Sequence, residues 1–116
     1  MKHNQKIGQW GEETATAYLS QRGYEIIAHN ARTPYGEIDI VAKQGDITIF
    51  IEVKTLTLSK NFFPEHNVTA RKREHMLACA GHYAAENAID HWQIDVVAVE
   101  GKQGLEPKIT HFENAI

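Results

Sequence analysis

Cysteine is nearly absent from this chain, since Cys79 is the single cysteine among its 116 residues. One cysteine cannot form an internal disulfide framework, so a disulfide-held secreted scaffold is excluded and a reducing cytoplasm is the expected compartment. Long apolar runs are missing too, because no segment approaches the roughly 20 consecutive apolar residues of a membrane span. The first six residues lead into an amphipathic segment and not a continuous apolar one, so no secretory leader is expected.

An excess of basic residues is also lacking, because 12 Lys and Arg stand against 15 Asp and Glu for a net charge of −3. This balance excludes nucleic-acid binding driven by bulk electrostatics alone, although basic residues can still act locally. No Gly-rich phosphate loop is present, so nucleotide hydrolysis has no support. Composition is otherwise ordinary, at 42% apolar and 23% charged. We therefore expect one folded domain over residues 1–116.

The spacing of apolar residues predicts an α-β-β-β-α-β order and hence an α/β fold, a mixed sheet flanked by helices. The helices are expected over 5–21 and 68–87, and the strands over 24–29, 37–43, 46–55 and 92–99. A short fifth strand over 109–112 is left open. The segment 55–67, which contains Pro64 and the Phe62-Phe63 pair, is predicted to be a mobile loop. That aromatic pair fits either stacking on unpaired bases or a dimer contact.

Charged residues interrupt two neighbouring apolar segments that otherwise have the composition of core strands. The segments are Gly36-Glu37-Ile38-Asp39 and Ile51-Glu52-Val53-Lys54. Charge inside a core strand is costly unless it is paired or holds a metal. Asp39 followed after twelve residues by Glu52-Val53-Lys54 is the arrangement with which one large class of nucleases binds a divalent ion and attacks phosphodiesters. The spacing therefore indicates a candidate metal site.

The hairpin between the two segments determines how closely the acids approach each other. Side chains alternate across a strand, so Glu37 and Asp39 share one face, as do Glu52 and Lys54. A turn at Gln44-Gly45 predicts the register Lys43 opposite Asp46 and Asp39 opposite Phe50. Glu52 is then a diagonal neighbour of Asp39, at a Cα separation of about 7–8 Å.

Two carboxylates at this separation can reach one hard cation. Mg²⁺ accepts one or two carboxylates, a backbone carbonyl such as that of Val53, and waters. Lys54 lies two residues beyond Glu52 on the same face, where its ammonium can hold an attacking water or stabilise charge on a phosphate. The alternative is that these charges are only the solvent face of a hairpin. Against it, the same face carries Val41 and Phe50, and the third strand is apolar enough to be central.

Residues 5–100 resemble the YraN-like family of small bacterial proteins, which is assigned to the PD-(D/E)XK nuclease superfamily beside archaeal Holliday-junction resolvases. The likeness rests on motifs in a fixed order: Gly8-x-x-Gly11-Glu12-x-x-Ala15-x-x-Tyr18-Leu19, Gly23-Tyr24, Asn30-x-Arg32, Gly36-Glu37-Ile38-Asp39, Phe50-Ile51-Glu52-Val53-Lys54-Thr55, Lys72 and Asp95-Val96-Val97. The resemblance implies a restriction-endonuclease-like fold. It also implies that Asp39 and Glu52 are metal ligands, that Lys54 is the catalytic lysine, and that Glu12 completes the site.

Several further charged residues are candidates with alternative roles. On a helical wheel Glu12 borders the apolar stripe and can face the sheet, whereas Glu13 points toward solvent; an acid in the first helical turn can also serve the helix dipole alone. Glu37 is a further ligand or a hydrogen-bonding partner for a loop. Arg32 could clamp a phosphate or pair with an acid. Lys72 and its neighbour Arg71 are either nucleic-acid contacts or surface cations.

Two departures from the family pattern remove positive charge from the proposed site. The family commonly has an arginine directly after Glu-Val-Lys-Thr, where this chain has Leu56. It also tends to place Arg-Phe before the Asp-Val-Val strand, where this chain has Gln93-Ile94. These changes bear on activity more than on fold.

A zinc site is the main rival constellation. His75, Cys79 and His82 fall on one face of the second predicted helix. Three ligands from one helix rarely close a tetrahedral site, and the sequence suggests no fourth. A half-buried thiol with a polar flank is the simpler interpretation. As a nucleophile, Cys79 lacks an evident base.

The sequence thus favours a cytoplasmic Mg²⁺- or Mn²⁺-dependent endonuclease that acts on DNA, with branched or single-stranded DNA as candidate substrates. The alternative is a non-catalytic nucleic-acid-binding or protein-interaction module that keeps a nuclease-like core. The intact acid-acid-lysine set favours the enzyme, and the mild acidity and missing arginines favour the module. No membrane association is expected. A homodimer would suit a symmetric branched substrate.

Overall fold

The protein has an α/β fold in which a five-stranded mixed sheet is flanked by two helices. The computed structural model describes residues 3–56, 69–101 and 104–116. Within these ranges the elements are α1 (His3–Gln21), β1 (Glu25–Thr33), β2 (Gly36–Gln44), β3 (Ile47–Leu56), α2 (Ala70–Glu86), β4 (Trp92–Glu100) and β5 (Lys108–Phe112). None of the described helices is long and apolar enough to cross a membrane. The predicted fold class is confirmed and is compatible with a restriction-endonuclease-like core.

The sheet has the strand order β1-β2-β3-β4-β5, so β3 is its central strand, as the apolar composition of that strand predicts. Only the β3–β4 pair is parallel, and α2 belongs to the crossover between them. The other neighbouring pairs are antiparallel. The predicted loop 55–67 lies almost entirely outside the described residues, and so does its Phe62-Phe63 pair; at its start β3 continues to Leu56.

The two helices cover opposite faces of the sheet. Ala15 and Leu19 of α1 pack against one face of the central strands, in a core with Ile40, Ala42, Ile49, Ile51, Val97 and Val99. Cys79, Ala80 and Ala84 of α2 cover the other face, in a core with Ile38, Val41, Phe50 and Ile94. The first half of β3 is mostly apolar and buried on both sides. The charged residues Glu52 and Lys54 in its second half contrast with the apolar residues that precede them.

The predicted β2–β3 register is wrong by two residues. Gln44 pairs with Ile47 and Lys43 with Thr48, so the two-residue turn is Gly45-Asp46 and not Gln44-Gly45. Gly45 has φ +61 at the first turn position, where a II′ turn uses glycine. Faces are unchanged by an even shift, so the acids stay on the predicted side. The shift alters which residues lie opposite each other.

Strand β1 is longer than predicted because it forms a hairpin with β2. Thr33 pairs with Gly36, which leaves Pro34 and Tyr35 as the turn. The Thr33 hydroxyl donates to the carbonyl oxygen of Gly36 at 2.8 Å and accepts from Tyr35 N at 3.1 Å. A shift in register between Ile26 and Ala28 marks a bulge in this strand.

Asp95 anchors the C-terminal part of the chain to β4. Its side chain is completely buried and accepts hydrogen bonds from Gln93 Nε2 at 2.9 Å and from Asn114 N at 2.8 Å. His111 Nε2 of β5 lies 2.7 Å from the second carboxylate oxygen. A buried carboxylate needs such partners. The Asp95-Val96-Val97 motif is therefore structural at its first residue, and the side chain of Gln93 is engaged by that residue.

Gly11 allows α1 to lie directly on β3. A Cβ atom built on Gly11 would lie 2.9 Å from Thr55 Cβ, whereas one on Gly8 meets nothing within 4 Å. We expect Gly11→Ala to lower the free energy of unfolding by about 1–3 kcal/mol through overpacking. Gly8→Ala is the matched control and should raise it by up to about 1 kcal/mol, because alanine has the higher helix propensity. Urea denaturation measures both, and equal effects would contradict this account of the α1–β3 contact.

Candidate functional site

Asp39 lies where the pairing between β2 and β3 ends. The described ladder ends at Ile40 opposite Ile51, and the same register continued by one residue would put Asp39 opposite Glu52. Val53 N–H instead donates to Asp39 Oδ2 at 2.8 Å. The carboxylate thus replaces a backbone acceptor at the place where the strands separate. The two acids are closer in register than the predicted diagonal.

Asp39 and Glu52 form a half-buried acid pair. Burial raises the pKa of Glu52 from 4.5 to about 7, and the negative charge of Asp39 adds to the rise. Burial also raises the pKa of Asp39, while the hydrogen bond from Val53 opposes that rise. The two carboxyl groups share a hydrogen bond, in which a protonated Glu52 donates to Asp39. Near neutral pH the pair therefore holds a proton at a position where a cation would relieve the same repulsion.

Two lysines lie beside this acid pair. Lys54 follows Glu52 by two residues on β3, and Lys72 comes from the first turn of α2. The ammonium of Lys72 can donate a hydrogen bond only to a neutral Lys54 amine, and this lowers the pKa of Lys54; burial and the charge of Lys72 act in the same direction. The acids Glu52 and Asp39 partly oppose this effect. The fold thus brings Lys72 of α2 to the acids on β2 and β3.

The start of α2 carries an unusual charge pattern. Thr69 caps the helix by accepting a hydrogen bond from Lys72 N at 3.1 Å. The first turn holds Arg71, Lys72 and Arg73 and no acid. A helix dipole disfavours cations at this end, by about 0.3–1 kcal/mol each at exposed positions. The start of α2 thus concentrates positive charge at the end of the helix that the dipole makes unfavourable for it.

Glu12 of α1 approaches the acid pair from the other face of the sheet. Its pKa is raised by burial first, and then by the charges of Asp39 and Glu37. The side chain of Asn30 donates a hydrogen bond to it and favours the ionised form. Glu13, in contrast, is exposed and accepts from Gln9 Nε2 at 3.2 Å. The structure thus separates Glu12 from Glu13 in the way that the helical wheel predicts.

Asn30 lies at the site, although the sequence predicts no role for it. Its φ is +49, a left-handed conformation that asparagine tolerates better than most residues. The β1–β2 pairing passes from His29–Ile40 to Ala31–Ile38, so Asn30 occupies the position opposite Asp39. Backbone irregularity of this kind concentrates at functional sites. The Asn30-x-Arg32 motif was the only sequence signal for it.

The remaining candidates lie at the periphery of the acid pair. Glu37 is exposed on the rim and forms an ion pair with Arg32, with Arg32 Nε 3.5 Å from Glu37 Oε2. Of the two alternatives for Arg32, the structure contains the pairing with an acid; the side chain is 86% exposed, so the pair contributes little to stability. Arg71 lies in a shallow depression with Tyr35 and Lys72, next to the acid pair but not part of it.

The donor set suits a hard divalent cation. Asp39 and Glu52 supply carboxylate oxygens, and two carboxylates with waters match the preference of Mg²⁺ and Mn²⁺. Among the residues that the structure describes, no three His, Cys, Asp or Glu side chains form a metal-binding group. The charge of Asp39 thus raises the pKa of Glu12, but Glu12 does not form a third ligand. The described residues His75, Cys79 and His82 do not form a zinc-binding cluster either. These residues therefore fit Mg²⁺ or Mn²⁺ better than zinc.

The family model and the similar proteins all indicate the same family. The model of the uncharacterised protein family UPF0102 matches residues 11–99, which include every acid and lysine of the site. A UPF0102 protein of Syntrophotalea carbinolica is 40% identical over 111 residues, or 94% of this chain and 89% of that protein. One from Dehalococcoides mccartyi is 40% identical over 119 residues, covering 100% and 98%. One from Rhodococcus opacus is 37% identical and covers 99% of both chains. The chain therefore belongs to the UPF0102 family, the YraN-like family that its motifs predict.

Proposed function

We propose that this protein is a metal-dependent endonuclease that hydrolyses phosphodiester bonds in DNA with Mg²⁺ or Mn²⁺. The observation that carries the proposal is the acid pair of Asp39 and Glu52 next to Lys54 and Lys72, at the point where β2 and β3 separate. A half-buried pair of acids beside two lysines is expensive for a purely structural site. Binding a cation and an anionic phosphate would satisfy both sets of charges.

Each side chain has a role in this proposal. Asp39 and Glu52 would hold the cation, together with the backbone carbonyl of Val53. When bound there, it would supply Lewis-acid stabilisation of negative charge on the phosphate. Lys54 holds the attacking water and offsets charge that develops in the transition state. Because the pKa of Lys54 is lowered, a neutral amine that can accept a proton is easier to reach than for an ordinary lysine.

Glu12, Lys72 and Arg71 support this chemistry from the two helices. Glu12, held by Asn30, presents a carboxylate that can orient water in the outer coordination sphere. Lys72 contacts the phosphate at the cut, and Arg71 extends the contact along the strand. The cations in the first turn of α2 are disfavoured by the helix dipole, and DNA phosphates would compensate for their charge. This charge pattern supports the assignment. Glu37 remains a rim acid that is paired with Arg32.

Cleavage of labelled single-stranded, duplex, flap and four-way-junction DNA tests the proposal. The assays contain Mg²⁺, Mn²⁺ or EDTA. We expect metal-dependent cutting that Asp39→Ala and Glu52→Ala each reduce by at least about 10³-fold, because both remove metal ligation. Glu13→Ala, which removes an exposed acid from α1, should cut like the unmodified protein.

Two outcomes would contradict the enzyme. Cutting that survives in both ligand variants would indicate a contaminating nuclease. DNA binding that persists in EDTA without cutting on any substrate would instead support the non-catalytic nucleic-acid-binding module. The resemblance implies an arginine at the position of Leu56, and its absence makes that second outcome a meaningful alternative.

A further inference from the structure

A cavity of about 180 Å³ lies between α2 and the sheet, directly beside the acid pair. Its apolar lining residues are Ile38, Phe50, Ile51, Met76, Cys79 and Ile94. Its charged lining residues are Glu37, Asp39, Glu52 and Lys72, and His75 also lines it. The cavity thus combines an apolar lining with a charged lining.

The apolar wall is rigid and already formed. Phe50 makes edge contacts with the rings of Tyr83 and Trp92, at centroid distances of 5.6 and 5.5 Å. Gly36 lies against the same region, and a Cβ there would come within 2.6 Å of His75 Cε1. The apolar wall is thus closely packed from behind, and the cavity is already formed without a ligand.

We propose that this cavity receives one unstacked nucleobase of the DNA strand that is cut. The inference deepens the proposed nuclease function and rests on it. A nucleotide has the same division of polarity as the cavity: a flat base that gains from burial, and an anionic phosphate that needs cations. Lys72 lines the cavity together with the acid pair, and a cation on Asp39 and Glu52 would make the acidic lining attractive to phosphate.

The size of the cavity limits which kind of DNA can bind in it. An apolar cavity of about 150 Å³ accepts one benzene ring, so 180 Å³ matches a single base and excludes a base pair. A paired base must be unstacked and unpaired before it can enter, whereas an unpaired base needs much less energy. The substrate is therefore DNA with an unpaired nucleotide at the cut, as in a bulge, a flap or a single strand.

The test measures binding without cleavage. Duplexes carrying one bulged 2-aminopurine, the same duplexes with an abasic bulge, and fully paired duplexes are titrated with the protein in Ca²⁺. We expect a fluorescence change on binding of the 2-aminopurine bulge, and an affinity at least about tenfold higher for the base than for the abasic bulge. Paired DNA should bind more weakly than either bulged duplex.

Variants that fill the cavity make the test specific. Met76→Phe should remove the preference for the base while it leaves the affinity for the abasic bulge within about twofold. Leu77→Phe, a neighbouring change at a 42% exposed position, should preserve the preference. Ile94→Phe provides a second filled cavity if Met76→Phe fails to fold, as judged by its melting temperature.

The outcomes separate this inference from the proposed function. Two results would overturn the base pocket and leave the nuclease function intact. In the first, bulged DNA is cut but the base bulge binds no more tightly than the abasic bulge. In the second, Met76→Phe weakens the binding of both bulged DNAs equally. Absence of both binding and cutting on every DNA would overturn the two together. A base preference that both filled variants abolish would support the pocket even if no cutting is detected.

Discussion

Glu52→Gln is expected to abolish tight Mn²⁺ binding and, in the absence of metal, to make the protein more stable at pH 8. The fold disfavours the ionised form of Glu52, because burial and the charge of Asp39 raise its pKa from 4.5 to about 7. The protonated group contributes stability that is fully present below pH 4.5 and is lost as the pH rises through about 7. Glutamine keeps a hydrogen-bond donor for Asp39 without the charge.

The expected sizes follow from the same shift. At pH 8 the free energy of unfolding of Glu52→Gln should exceed that of the unmodified protein by about 2 kcal/mol. Each unit of pKa corresponds to about 1.4 kcal/mol, and the full rise is not counted because Glu52 and Asp39 share it. At pH 4.5 the two proteins should be nearly equally stable. Loss of one of two carboxylate ligands should weaken Mn²⁺ binding by at least about a hundredfold.

Urea denaturation at pH 4.5 and pH 8, with and without Mn²⁺, measures both effects. Glu13→Gln is the matched control, since it removes an exposed acid and should change neither stability nor metal affinity. A Glu52→Gln protein that is less stable than the unmodified protein at pH 8 would show that Glu52 is held ionised by structural partners. Retained Mn²⁺ affinity would remove Glu52 from the metal site.

Lys54→Met is expected to lower the rate of DNA cleavage by about 10²–10³-fold without weakening Mn²⁺ binding. The ammonium of Lys54 repels a cation on the acid pair, so its removal should leave metal affinity unchanged or raise it. The cleavage loss arises because the attacking water and the charge on the phosphate lose their nearest partner. A single substitution should therefore lower the rate of cleavage without lowering the affinity for metal.

Single-turnover cleavage and calorimetric Mn²⁺ titration are the two measurements for this variant. Lys43→Met serves as the control, because Lys43 is an exposed lysine of β2 away from the acid pair. An unchanged cleavage rate in Lys54→Met would contradict the catalytic role. A parallel loss of metal affinity and rate would instead indicate a structural role in holding Glu52.

Strand periodicity was sufficient to predict the convergence of the acids. Alternation put Asp39 and Glu52 on matching faces, and an error of two residues in register preserves faces while it changes partners. The register itself depended on which residues form the turn. Both Gln44-Gly45 and Gly45-Asp46 contain glycine, and only the second puts it at the position where the observed turn needs a positive φ.

Other parts of the site depend on tertiary structure that no local pattern encodes. Asn30 acts through a left-handed backbone inside a strand, which propensity does not predict. Lys72 reaches the acids only because the β3–β4 crossover places the start of α2 over them. The sequence left open whether Arg32 clamps a phosphate or pairs with an acid, and its ion pair with Glu37 depends on the hairpin that puts the two residues opposite each other.

The irregular course of β1 has a consequence for self-association. β1 is an edge strand, and a regular edge would offer its free backbone groups to a strand from another molecule. The bulge after Ile26 and the left-handed residue at Asn30 interrupt that row of donors and acceptors at two places within nine residues. A neighbouring molecule therefore finds no continuous template along this border. The distortion that helps to shape the site also protects the protein against sheet extension and aggregation through β1.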